Sequence, residues 1–203
     1  MNWFQKIFNI KTGTDYANTA KTITDGIEIK GTNVWLMICS ALLASIGLDT
    51  NSTAVIIGAM LISPLMAPIL GVGYSVGVQD REIFIHSARN LAYATFFSLL
   101  TAVGYFLLTP LGQPTSEILA RTQPTLLDIG VAFFGGVAGI VSGSRRESTT
   151  ALPGVAIATA LMPPVCVAGF GLATGRWEIF GGALYLFFLN YAFIAFSTYL
   201  IVK

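Results

Sequence analysis

Gly58-Ala59-Met60-Leu61-Ile62-Ser63-Pro64-Leu65-Met66-Ala67-Pro68-Ile69-Leu70-Gly71 carries one hydroxyl, two prolines and no charge. It lies inside an apolar run from Thr53 to Val78, longer than the roughly 20 residues that cross a bilayer as a helix. Each proline lacks a backbone donor, and its ring clashes with the carbonyl four residues back. In lipid the freed carbonyls need another partner, and Ser63 is placed to supply one. The stretch therefore reads as a membrane-crossing helix that kinks, or breaks into two half-helices, near its middle.

The rest of the chain suits a bilayer as well. Of its 203 residues 54% are hydrophobic and only 10% charged, against about 25% charged in soluble domains. The mean hydropathy is +0.73. Six apolar runs stand out: Asn33–Leu48, Thr53–Val78, Ala88–Leu108, Ile129–Gly143, Ala151–Ala173 and Glu178–Val202. They are continuous rather than alternating, which argues against a β-barrel. The expected fold is an all-α membrane protein of about six transmembrane helices, with helices 2 and 5 kinked or broken. Residues 1–30 precede the first run and are too polar to cross. Trp3, Phe4, Ile7 and Phe8 give them an aromatic face, so they read as a cytoplasmic, amphipathic juxtamembrane segment. Lys6 and Lys11 interrupt any apolar signal-peptide region.

Basic residues orient the chain. With the N-terminus inside, Lys6, Lys11, Lys21, Lys30, Arg81, Arg89, Arg145, Arg146 and Lys203 all fall on the cytoplasmic side, and only Arg121 and Arg176 fall outside. Both termini are therefore expected to be cytoplasmic, in a cell (inner) membrane.

An internal repeat appears when the sequence is shifted by 96 residues. Gly47, Ser52, Thr53, Gly58, Leu65, Met66, Pro68, Gly73 and Glu82-Ile83-Phe84 meet Gly143, Ser148, Thr149, Gly154, Leu161, Met162, Pro164, Gly169 and Glu178-Ile179-Phe180. Residues 31–108 thus read as one repeat and 128–203 as a second, joined by an extracytoplasmic connection at 109–127. Each holds three spans, an odd number, so the second copy enters the membrane from the opposite side. Inverted repeats of this kind recur in transporters, with the solute site near mid-membrane between the halves. The copy of the proline break carries Thr159, Pro163 and Pro164.

Unwound backbone at that depth is tolerated only within protein or beside a water-filled cavity. The expected solute path is accordingly Ser63, Pro64, Pro68, Thr159, Pro163 and Pro164, with Asn190, the amide most costly to leave in lipid. Further uncharged polar positions are Ser40, Ser45, Ser75, Asn90, Thr95, Ser98, Thr101 and Ser142. Ser52 and Ser148 read as N-caps of helices 2 and 5. Gly73-x-x-x-Gly77 and Gly135-x-x-x-Gly139 fit close helix packing or oligomerisation.

Catalytic chemistry is not visible. The one histidine, His86, sits beside a charged loop, and Cys39 and Cys166 fall inside apolar runs as buried small hydrophobes. No zinc pattern, phosphate-binding loop or nucleophile–base pair can be assembled. The expectation is a non-enzyme with no metal, no cofactor and, at net charge +1, no nucleic-acid partner. No carboxylate lies clearly mid-span, since Asp49, Glu82, Glu147 and Glu178 are near span ends.

Asn51–Asp80, and within it Gly58-Ala59-Met60-Leu61-Ile62-x-Pro64-Leu65-Met66-x-Pro68-Ile69, resembles the prokaryotic membrane family labelled "domain of unknown function 389". The resemblance extends over about residues 25–200. It implies no assigned chemistry. Many members carry a cytosolic domain before the membrane part, where this chain has only about thirty residues. The sequence points to an integral membrane transport or channel protein for a small solute or ion, as a homo-oligomer in the lipid bilayer. The alternative is a non-transporting scaffold or regulatory protein that binds a partner through residues 1–30.

Overall fold

The computed structural model describes residues 31–109, 112–143 and 161–203. Over these the chain is helical, with no strand among the described residues. The elements are α1 (Gly31–Asp49), α2 (Thr53–Ile62), α3 (Met66–Val78), α4 (Arg81–Leu108), α5 (Ser116–Leu119), α6 (Leu126–Gly143), α7 (Met162–Ala173) and α8 (Trp177–Val202). Helices α1, α4, α6 and α8 are each long and apolar enough to cross a membrane. Helices α2 and α3 together make a fifth candidate, bent by 53° at their junction. Large apolar side chains stay exposed along these helices, among them Trp35, Phe96, Leu108, Phe134, Tyr185 and Phe188. A water-soluble chain of this size would not leave so much apolar surface uncovered. The chain is a membrane protein.

The break falls where Pro64 dictates. The residue before a proline is driven out of the α region, and Ser63 is extended, at φ −67° and ψ 124°. Its N–H closes the last turn of α2 on the Ala59 carbonyl at 3.2 Å. Pro68 breaks nothing. It lies in the first turn of α3, where helix N–H groups have no intrahelical partner to lose. Pro163 and Pro164 likewise lie in the first turn of α7. The fifth run is described from Leu161 onward as α7; Thr159, Ser148, the Arg145–Glu147 charges and residues 1–30 lie outside the described residues.

Other expectations need correction. Ser52 occupies the N-cap of α2, but its side chain makes no capping bond. The third span begins at Arg81 rather than Ala88, because the Asp80 carboxylate caps it by accepting from the N–H groups of Glu82 and Ile83, at 2.9 and 3.1 Å. Cys39 is exposed on α1, and only Cys166 is buried. The short helix α5 was not anticipated. It clasps the turn between α1 and α2: Ser116 Oγ and the Glu117 N–H donate to Asn51 Oδ1, and Thr53 Oγ1 donates to the Glu117 carboxylate. Asn51 itself is left-handed, at φ 55°.

Helix directions follow from end-to-end contacts. The starts of α1 and α4 line one groove through Val34, Met37 and His86, and their far ends meet where Tyr105 Oη donates to Asp49 Oδ2 at 3.1 Å. These two helices therefore run parallel. The end of α8, at Val202, and the start of α4, at Ile83, pack against the same Tyr74–Ile140 cluster, while Arg176, the N-cap of α8, donates to the Gly112 carbonyl beyond the end of α4. Thus α8 runs antiparallel to α4. Helix α6 runs alongside α8 in the same sense, with Phe133 against Phe196 and Ile140 in a cluster with Val202.

The core is built from reciprocal packing. Helix α3 packs on α4 and α8, and α7 packs on α8 and α4. Lipid-embedded helices gain little from apolar burial against one another, so close backbone approach carries the packing. A Cβ on Gly73 would run into the Ala195 carbonyl of α8 and stand 2.6 Å from Thr198 Cβ. A Cβ on Gly169 would stand 2.6 Å from Ala102 Cβ of α4. Gly77 meets Val202 in the same seam, so the Gly73-x-x-x-Gly77 face is spent within the chain.

Candidate functional site

The break after α2 and the start of α7 meet at a small void. Met60, Ser63, Leu65, Met66, Leu161 and Met162 line it. Its volume is about that of a single water molecule. Leu65, Met66, Leu161 and Met162 are all buried. Leu65 and Leu161 are the N-caps of α3 and α7, and neither offers a side-chain cap. Two helix starts, each carrying partial positive charge from its orphan N–H groups, therefore face one void through an apolar collar.

Ser63 lines this void, and its hydroxyl is buried without a hydrogen-bond partner. The freed carbonyls of α2 are thus not satisfied by Ser63, contrary to the expectation from sequence. A buried hydroxyl without a partner costs about 1–3 kcal/mol, a cost that a water or a polar solute in the void would relieve.

Of the described residues expected on a path, Ser63 is the one that lines the void. Pro64 forms the break, and Pro68, Pro163 and Pro164 shape the helix starts around it while staying buried. Asn190 is buried on α8, and it does have a polar partner. The other hydroxyls divide by their bonds. Ser75 and Thr101 donate within their own helices, to Val72 and Phe97 carbonyls. Ser40 crosses to the Ala59 carbonyl at 2.7 Å, tying α1 to the last turn before the break. Thr95 and Ser98 of α4 are buried without a partner, as Ser63 is. Among the described residues no cluster of His, Cys, Asp or Glu could hold a metal ion.

Sequence reasoning did not name the collar, although its signal was present: Leu65 with Leu161 and Met66 with Met162 are identities under the 96-residue shift. At the far end from the basic loops, Arg121 pairs with Glu117, and both are mostly buried. Hydrogen bonding from Thr53, with Arg121 beside it, holds the Glu117 carboxyl below its ordinary range.

Residues 60–196 match the family described as a domain of unknown function, DUF389. The chain belongs to the DUF389 family. The matched segment runs from the last turn before the Ser63–Leu65 break to near the end of α8, so it includes the whole collar. An uncharacterized protein of Methanocaldococcus jannaschii is 29% identical over 203 residues, covering 96% of this chain. The chain spans 59% of that relative's length. No solved structure matches this DUF389 chain.

Proposed function

We propose that this chain is a transport or channel protein for a small solute or ion, built as two inverted three-helix halves with the path crossing the proline breaks between them. The observation that carries this reading is the void itself. It is lined by repeat-related pairs from both halves, Leu65 with Leu161 and Met66 with Met162, and holds an unpartnered hydroxyl.

The inverted arrangement draws support from packing. Helices α3 and α4 begin 96 residues before α7 and α8. Gly73 meets Thr198 while Gly169 meets Ala102, and both pairs exchange under that same shift. Repeat-related α4 and α8 run antiparallel, as inversion requires. Parallel α1 and α4 leave the bent α2–α3 pair to bring the chain back across, giving three crossings per half. In this reading the basic end of the molecule, with Arg81, Arg89 and Lys203, is cytoplasmic, and Arg121 and Arg176 lie outside.

The space at the collar is too small for anything larger than water. The collar works as an apolar gate whose wetting decides conduction. Bending at Pro64 is the motion that would part Leu65 and Met66 from Leu161 and Met162. Nothing in this mechanism calls for an enzyme's acid, base or cofactor. The test is a flux screen of purified protein in liposomes, with anions, cations and small polar solutes, beside a Pro64→Ala/Pro164→Ala variant. Solute flux that the variant changes while its fold persists is the expected result. Folded protein that passes nothing across that screen would overturn the reading in favour of a scaffold.

A further inference from the structure

A second cavity, of about 560 Å³, lies away from the collar, between α1 and α4. It is lined by Val34 and Met37 of α1 and by His86, Arg89, Asn90, Tyr93 and Phe97 of α4. The α4 residues follow helical spacing and so form one stripe. The stripe changes character along its length. His86 and Arg89 are exposed at the basic end of the molecule, Asn90 and Tyr93 follow, and Phe97 closes the apolar end. Eleven residues at about 1.5 Å each span roughly 16 Å, close to one leaflet of a hydrocarbon core about 30 Å thick. Trp35 and Phe96, next in sequence to the lining residues Val34 and Phe97, are 70% and 58% exposed.

Among the described residues the charge at the mouth is uncompensated. Arg89 donates to His86 Nδ1 at 3.2 Å, and among the described residues no carboxylate pairs with it. Arginine has five N–H donors, and most of these remain available to phosphate oxygens, together with the opposite ring nitrogen of His86. Basic pockets between membrane helices on the cytoplasmic side suit anionic lipid headgroups.

We propose that this groove is a binding site for one anionic phospholipid. Its phosphate sits on Arg89 and His86, and an acyl chain lies along Val34, Met37, Tyr93 and Phe97. The lipid would brace α1 against α4, the two helices that flank the bent α2–α3 pair.

The test uses the full chain in nanodiscs or detergent, titrated with phosphatidylglycerol or with phosphatidylcholine of the same acyl chains and read by native mass spectrometry. The wild type should prefer phosphatidylglycerol. Arg89→Gln/His86→Asn should lower that preference about tenfold while circular dichroism and elution stay unchanged. Arg81→Gln, a basic residue of the same end outside the groove, should keep it. Met37→Trp, which fills the apolar end, should weaken both lipids. A preference that survives Arg89→Gln/His86→Asn, or that falls equally with Arg81→Gln, overturns the proposal. So does full competition by inorganic phosphate alone, which would mark a free-anion site. A groove that stays closed to either lipid, because residues 1–30 or a second copy covers it, also overturns the proposal.

Discussion

Gly169→Ala adds one methyl at the crossing of α7 and α4. The new Cβ would stand 2.6 Å from Ala102 Cβ and 3.1 Å from the Val103 backbone nitrogen. Carbon atoms rest at about 3.5–4.0 Å, so the helices must part by nearly 1 Å along a seam where backbone is the obstacle. Overpacking of this kind costs about 1–3 kcal/mol, and the upper half applies because no flexible side-chain end can yield. Alanine returns about 1 kcal/mol of helix propensity, leaving a net loss of about 1–2 kcal/mol. Gly104→Ala is the same chemical change in α4, with nothing within 4 Å of the new Cβ. It should instead gain about 0.5–1 kcal/mol. The closest contact can also be removed from the other side. In an Ala102→Gly background only the tight backbone contacts at 3.1 and 3.2 Å remain; these offset the propensity gain, so Gly169→Ala should cost little further, a coupling of about 1–2 kcal/mol in a double-mutant cycle. The assay is equilibrium unfolding in mixed micelles, followed by circular dichroism and tryptophan fluorescence. If Gly169→Ala is as stable as Gly104→Ala, or if the two substitutions add to within about 0.5 kcal/mol, the close-packed seam is refuted.

Two further outcomes follow from the same geometry. Met66→Ala with Met162→Ala should widen the collar and raise passive solute leak in liposomes, at a packing cost of about 2–5 kcal/mol for each methionine; unchanged leak from folded protein would show that the collar gates nothing. Glu117 is held below its ordinary value of 4.5 by the Thr53 hydroxyl and Arg121. A carboxyl depressed on folding stabilises above its unfolded pKa, and that contribution disappears as pH falls below about 4.5 toward the folded value. Partial solvent screening limits it to about 1 kcal/mol, so Glu117→Gln should lower stability by about that much at neutral pH, flatten the acid limb of a stability–pH curve and leave stability at strongly acid pH nearly untouched.

Some of this structure was plain in the sequence because the controlling physics is local. Pro64 breaks its span through its own ring, and Ser63 must then be extended. The apolar runs give α1, α6 and α8 nearly to their ends, since crossing a bilayer is a matter of continuous apolar length. Where distant residues decide, the sequence was silent. Helix α5 is a single turn that becomes legible only once Glu117 meets Thr53, 64 positions away. The start of α4 was hidden because Arg81 and Glu82 look like loop, although the Asp80 cap makes them helix. The polar path was read too broadly. Ser75, Thr101 and Ser98 are alike in sequence, yet the first two bond their own helices and Ser98 does not, a distinction set by rotamer and neighbours. The expectation that Ser63 would satisfy a freed carbonyl failed because its buried hydroxyl bonds to nothing.

The path through the break is tested most directly by placing a thiol at Ser63 in a chain carrying Cys39→Ala and Cys166→Ala, then following flux in liposomes before and after a small water-soluble thiol reagent. The account predicts that Ser63→Cys is modified from the aqueous phase while the protein conducts, and that modification stops flux. Flux that continues after complete modification, or that runs while the thiol is never reached, would place the path elsewhere and contradict the account.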